Sequence, residues 1–183
     1  MSKNTIVKDT LILLAITLIS GLLLGGVYTM TKEPIAAVQA AAKQEAYAKV
    51  YPGFEAGEDL SATLESFAPA DSDAVITEAI TAADGNGYVF SCKAKGYGGD
   101  VTLAVGVSND CTITGLTVLS MSETPGLGAK CTETSFQDQF TGVQSSELVI
   151  NQDFNQIGGA TITSKAVMRA VNATLKFVTE NAQ

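Results

Sequence analysis

The sequence predicts an α+β protein: a single N-terminal transmembrane helix followed by an extracytoplasmic domain with an antiparallel sheet and flanking helices. Residues 10–31, TLILLAITLISGLLLGGVYTMT, carry no charge and are bounded by Asp9 and Lys32. Residues 88–121 alternate apolar and polar side chains between short turn signals. From residue 164 onward apolar residues recur every third or fourth position, which is the helical period.

The uncharged run, at about 1.5 Å of rise per residue, matches a hydrocarbon core of roughly 30 Å. A cleaved secretory signal is the competing reading, because AVQA at 37–40 places small residues where a peptidase cuts. The apolar stretch is longer than the roughly 7–15 residues of a signal's core, so the helix is expected to stay. The chain then divides into a cytoplasmic tail (1–9), a transmembrane helix (10–31) and a domain (32–183). Lys3 and Lys8 precede the helix and Lys32, Lys43 and Lys49 follow it, so charge alone does not orient it. Gly21 and Gly25 form a GxxxG pair, which is either incidental or a packing face in a larger membrane assembly. After the span, KEPIAAVQAAAKQEAYAKVYPG reads as a further helix, with Pro34 in its first turn and Pro52-Gly53 as its stop; it either stands apart or runs on from the span. Residues 53–72 give no clear assignment.

Composition narrows the function. The 183 residues suffice for one compact domain. A net charge of −8 and a pI near 4.4 oppose nucleic-acid binding, which needs Lys and Arg against phosphates. There is no histidine, so neither a Ser-His-Asp nor a Cys-His arrangement exists and no imidazole can ligate a metal. Cys92, Cys111 and Cys131 lack CxxC spacing, which leaves no cysteine-based metal cluster.

The β region is divided at ADGNG, GYGGD and SND. In YVFSCKAK, Tyr88, Phe90, Cys92 and Ala94 share one face and Ser91, Lys93 and Lys95 the other, which makes Cys92 a core thiol. Should a disulfide form, Cys111 and Cys131 are then the expected pair. In the next run Val101, Leu103, Val105 and Val107 share a face, and TITGLTVLSM extends the meander with a bulge at Gly115. The C-terminal helix presents Val167, Ala170, Val171, Thr174, Leu175 and Val178 on one side, and Thr163 or Ser164 is its expected N-cap.

Three glycine-rich stretches each admit two readings. NQIGGATITS, residues 155–164, is a loop with a cap, or a place where Gly158, Gly159 and Ala160 expose backbone amides beside a helix N-terminus suited to phosphate. It lacks the Lys and the spacing of a GxxxxGK[ST] loop for free nucleotides, but a phosphate held covalently through threonine needs neither. SETPGLGAK, residues 122–130, is a Pro-Gly turn, or a rigid corner of Glu123, Thr124, Pro125, Gly126, Leu127 and Gly128 that can face a flat ligand. KGYGGD is a plain β-turn, or it sets the Tyr97 ring against a planar group.

An N-terminal span, then GYGG, ETPGLG and GATITS in that order resembles the FMN-binding-domain family, in particular the G subunits of Rnf-type ion-translocating ferredoxin:NAD oxidoreductases. The C subunits of sodium-translocating NADH:quinone reductases are similar. The resemblance implies that a flavin transferase uses FAD to attach FMN by a phosphoester to Thr161, that the 123–128 loop lies by the flavin ring, and that the domain is on the extracytoplasmic side. Gly158, Gly159, Ala160, Thr163, Ser164 and Tyr97 complete the implied cofactor site. Implied partners are other membrane and iron–sulfur subunits, and implied work is electron relay coupled to Na⁺ or H⁺ translocation, without a complete active site on this chain. Asn155 and Gly158 depart from the family pattern, which has an acidic residue and Ser or Thr at those places. The alternatives are a flavin subunit of another membrane redox system, such as a quinone reductase or an extracytosolic reductase, and an anchored binding module without cofactor.

Overall fold

The computed structural model describes residues 3–65 and 74–181, so part of the unassigned stretch 53–72 lies outside the described residues. The chain forms two compact units, Met1–Ala41 and Ala42–Gln183. Helix α1, Lys3–Val50, is continuous and holds Pro34 in its interior. Of the two readings left open after the span, the helix that runs on is therefore the one found, with Pro34 in its interior and not in a first turn. An interior proline costs about 3 kcal/mol through a lost backbone bond, and the alanine-rich run after it has the helix propensity to continue.

In the first unit the large apolar side chains from Val7 to Val38 are exposed, and α1 is long and apolar enough to cross a membrane. Three of its threonine hydroxyls are satisfied internally: Thr17, Thr29 and Thr31 donate to the carbonyls of Leu14, Gly26 and Val27, each at 2.9 Å. Such bonds remove the need for water around a polar side chain in an apolar medium.

The second unit contains one antiparallel meander of β1 (Ala56–Asp59), β2 (Ala74–Ala82), β3 (Gly87–Lys95), β4 (Asp100–Ser108) and β5 (Ile113–Ser120), hydrogen-bonded in chain order. Strands β3, β4 and β5 fall where the alternation places them, while β1 lies in the stretch that the sequence left unassigned. Between Gly106 and Val107 the register slips so that Thr114 is the extra residue beside Gly115, the bulge anticipated there. A short helix α2 (Thr134–Gln137) precedes the long α3 (Thr161–Asn181).

Helix α3 covers one face of the sheet. Its anticipated row, Val167 to Val178, is buried with Phe90, Cys92, Leu103 and Val105, and Phe177 meets Phe90 edge-on at 5.5 Å. The opposite face, which alternation alone leaves to solvent, is covered by the last turns of α1. Tyr47 and Val50 pack there with Tyr51, Val89 and Ala104, and Ser91 is buried too. Gly106 and Gly115 make this approach possible, since a Cβ on either would overlap the Val50 backbone; Thr114 Oγ1 donates to the Val50 carbonyl at 2.6 Å. On the same face Tyr47 and Lys43 both reach the Glu78 carboxylate. Phe136, Phe140 and Phe154 interlock, with centroids 4.6–6.1 Å apart, and anchor the 121–160 segment that carries two of the glycine-rich loops.

All three cysteines are free, which corrects the Cys111–Cys131 pairing. Cys111 touches Thr179 near the end of α3, whereas Cys131 lies by Glu123, which bonds Thr163 at its start. The helix separates those ends by about 24 Å, against the roughly 7 Å that a disulfide tolerates between Cα atoms. Burial pushes the Cys92 thiol up to about 12; burial, aided by the Glu123 charge, pushes Cys131 up to about 11. Thiolate is the reactive form, so native-state alkylation should modify Cys111 first and leave Cys92 and Cys131 until unfolding. Rapid modification of Cys92 in the folded chain would contradict its place in the core.

Candidate functional site

The three glycine-rich stretches converge at the N-terminus of α3. One cavity of about 440 Å³ is lined by Tyr97, Glu123, Thr124, Leu127, Gly128, Gly159, Ala160, Thr161, Ile162 and Thr163. Four of the sequence candidates lie outside its lining. Pro125 and Gly126 form the exposed tip of the 123–128 loop, Gly158 is exposed one residue before the lining begins, and Ser164 is buried behind it.

The start of α3 differs from the sequence reading. Neither Thr163 nor Ser164 is an N-cap: the helix already begins at Thr161, which puts them inside its first turn. Their hydroxyls serve other bonds. Ser164 Oγ accepts from the Ile157 amide at 2.9 Å and donates to the Ala160 carbonyl at 3.0 Å, so it fastens the preceding loop to the first turn. Thr163 Oγ1 donates to Glu123 Oε2 at 2.7 Å. Both residues are buried, at 1% and 0% exposure, while Thr161 is exposed. The same loop is held further back by Asn155, whose backbone amide donates to Gln139 Oε1 at 2.9 Å.

Glu123 is only 7% exposed. Its Oε1 accepts from the amides of Tyr97 and Gly98, at 2.9 and 3.1 Å, while Oε2 takes the Thr163 hydroxyl. A Cβ at Gly96 or Gly128 would collide with this carboxylate, and one at Gly98 with the Ser122 carbonyl. These glycines are required by close approach. Gly126 and Gly159 are required by conformation, with φ of +76° and +77°; Gly159 also faces Leu127 closely.

The cavity rim is apolar. Outside α1, the large apolar side chains exposed among the described residues are Val75, Tyr97, Leu127, Val149 and Ile162. Tyr97, Leu127 and Ile162 all line this one cavity, a clustering that marks a binding surface more than scattered exposure does. Ile162 was not singled out from the sequence; an apolar residue alternating with hydroxyls in TITS was its only signal. The free amides of a helix's first turn and the positive end of its dipole add an anion-binding feature below the rim. Small residues at 158–160, an exposed hydroxyl, first-turn amides and an apolar rim together suit a planar group carrying a phosphate.

Residues 96–176 match the family model of the FMN-binding domain, and residues 1–50 match that of the RnfG N-terminal region. Over 189 residues, covering 96% of each chain, the sequence is 30% identical to the G subunit of the ion-translocating oxidoreductase complex of Methanosarcina acetivorans. It is 38% identical over 98 residues to the G subunit of the proton-translocating ferredoxin:NAD(+) oxidoreductase complex of Clostridium ljungdahlii, covering 50% of this chain and 53% of that one. It is also 38% identical over 105 residues to the G subunit of the Na(+)-translocating ferredoxin:NAD(+) oxidoreductase complex of Acetobacterium woodii, covering 50% of each. The chain belongs to the family of G subunits of ion-translocating oxidoreductase complexes.

The two kinds of glycine requirement separate experimentally. Gly126 has open space around it, so Gly126→Ala should cost only the backbone strain of a left-handed residue, about 1–2 kcal/mol. Gly128→Ala should cost more, about 1–3 kcal/mol from overpacking plus the displaced Glu123–Thr163 bond. Denaturant unfolding of the detergent-solubilised chain measures both. A larger loss for Gly126→Ala would contradict the packing around Glu123.

Proposed function

We propose that this chain is the covalent-FMN electron-carrier subunit of a membrane ferredoxin:NAD oxidoreductase that couples electron transfer to Na⁺ or H⁺ translocation, with the flavin on Thr161. The observation that carries this reading is the division among three neighbouring hydroxyls: Thr163 and Ser164 are buried and hydrogen-bonded within the domain, and Thr161 is exposed and lines the cavity. A transferase acting with FAD would form the bond from Thr161 Oγ1 to phosphorus and break the phosphoanhydride, with AMP leaving and the hydroxyl proton passing to solvent or to the transferase.

The chain's own residues then have separate tasks. Gly159 and Ala160 keep the approach to Thr161 open. The first-turn amides of α3 orient the ester phosphate, which the helix dipole favours by roughly 0.3–1 kcal/mol at an exposed site. That small contribution suffices, because a covalent bond does the holding. Tyr97, Leu127 and Ile162 offer an aromatic and apolar surface to the ring. FMN supplies the conversion between two-electron and one-electron transfer, and the protein supplies position and surroundings. With no histidine in the chain and Glu123 committed to three internal donors, neither an imidazole nor this carboxylate is free to move a proton at the site. It works as a relay, with donors and acceptors on partner membrane and iron–sulfur subunits and with a flavin transferase for maturation.

Co-expression with an FAD-dependent flavin transferase tests the site. The denatured wild-type chain should show flavin fluorescence in a gel. Thr161→Ala should abolish it while leaving a folded, membrane-inserted chain, and Thr163→Ala and Ser164→Ala should keep it. Fluorescence surviving in Thr161→Ala would overturn the assignment.

The same reading places the N-terminus inside, residues 10–31 of α1 across the membrane and the domain on the extracytoplasmic side. Protease added to intact spheroplasts should remove the domain; digestion only after the membrane is opened would reverse the topology.

A further inference from the structure

We propose that Glu123 is a positioning residue: its carboxylate sets the start of α3 against the Tyr97 turn, and so fixes the surroundings of whatever Thr161 carries, without contacting the cofactor. The inference rests on the reading of Thr161 as the attachment point, but its structural half can be tested on the unmodified chain.

The geometry points to this role in three ways. First, both oxygens of the carboxylate are engaged. Oε1 takes two amides of the 96–98 turn and Oε2 takes the Thr163 hydroxyl, so its hydrogen bonding is directed into the protein although it borders the cavity. Second, the approach of all three segments is too close for side chains, which is why Gly96, Gly98 and Gly128 surround it. Third, Thr163 lies two residues beyond Thr161 in the first turn of α3, so its rotation about the helix axis also sets that of Thr161 and Ile162. Charge-assisted hydrogen bonds are short and directional, and this set joins residues 25, 26 and 40 positions apart.

The roles of the two oxygens separate by substitution. Glu123→Gln keeps an oxygen for the Tyr97 and Gly98 amides and can present its NH₂ to Thr163. Glu123→Ala removes both connections, and Thr163→Val removes only the one to α3. On the unmodified full chain in detergent, amide hydrogen exchange would be followed at Tyr97, Gly98 and Ser164, the last being bonded to the Ala160 carbonyl at 3.0 Å. Glu123→Ala should accelerate all three by about tenfold or more, as expected for loss of hydrogen bonds to a charged group, with amides of β3 and β4 unchanged. Thr163→Val should accelerate Ser164 alone, and Glu123→Gln should retain protection at Tyr97 and Gly98.

On the flavin-loaded chain, Glu123→Ala and Thr163→Val should keep the covalent flavin but lower its fluorescence anisotropy and change its visible circular dichroism, with Glu123→Gln restoring both toward wild type. Equal acceleration of all amides, or none at the three positions, would overturn the proposal, as would a flavin signal insensitive to Glu123→Ala. If Glu123→Ala does not fold, Glu123→Gln and Thr163→Val carry the test. A wild-type chain that accepts no flavin refutes the Thr161 reading instead, while the exchange arm still decides on Glu123.

Discussion

The site is organised by one buried carboxylate. Removing a charge from water costs several kcal/mol unless donors replace the lost hydration, and Glu123 meets this with two backbone amides and a hydroxyl. Each donor comes from a different chain neighbourhood than the acceptor, so satisfying the charge draws the GYGG turn, the ETPGLG loop and the first turn of α3 together. The glycines follow from that constraint, because three backbone segments cannot crowd one carboxylate with side chains in the way. A motif that looks like a flexible loop in sequence is, in the fold, a set of close approaches.

The same economy assigns the hydroxyls. With α3 beginning at Thr161, residues 163 and 164 turn inward and their side chains become fasteners, one to Glu123 and one to the loop at Ile157. Thr161 at the helix start is left outside. Behind the site, α3 is held to the sheet by its buried apolar row, and the sheet is held from its other face by the last turns of α1 seated on Gly106 and Gly115. Thr161, the proposed attachment point, is thus fixed by a rigid element even though it sits at a cavity mouth.

Much of this was legible in the sequence. Alternation at 88–94 and 101–107 placed β3, β4 and the burial of Cys92, and the spacing in 167–178 gave the buried side of α3, because both signals depend on one apolar face meeting one core. Where a second partner intervened, local pattern failed. Val89 and Ser91 are buried by α1, which no period within β3 reveals. Pro34 signals a helix start in most contexts, but a long helix on both sides outweighed the loss of one bond. The cap expected at Thr163 or Ser164 was misplaced by a few residues because hydroxyls favour caps locally, while here tertiary partners claimed them. The convergence of the three glycine stretches came from family resemblance rather than from spacing, and the role of Glu123 in it depends on contacts across as many as 40 residues, beyond the reach of any local rule.

The central claim is that a single exposed hydroxyl carries the flavin phosphate. Tandem mass spectrometry of the peptide spanning residues 155–165, prepared from the chain matured with a flavin transferase, reads this directly. The account predicts one FMN per chain, with fragment ions placing it on Thr161. FMN on Thr163 or Ser164, or a peptide that remains unmodified under conditions where the transferase loads another acceptor, would contradict it.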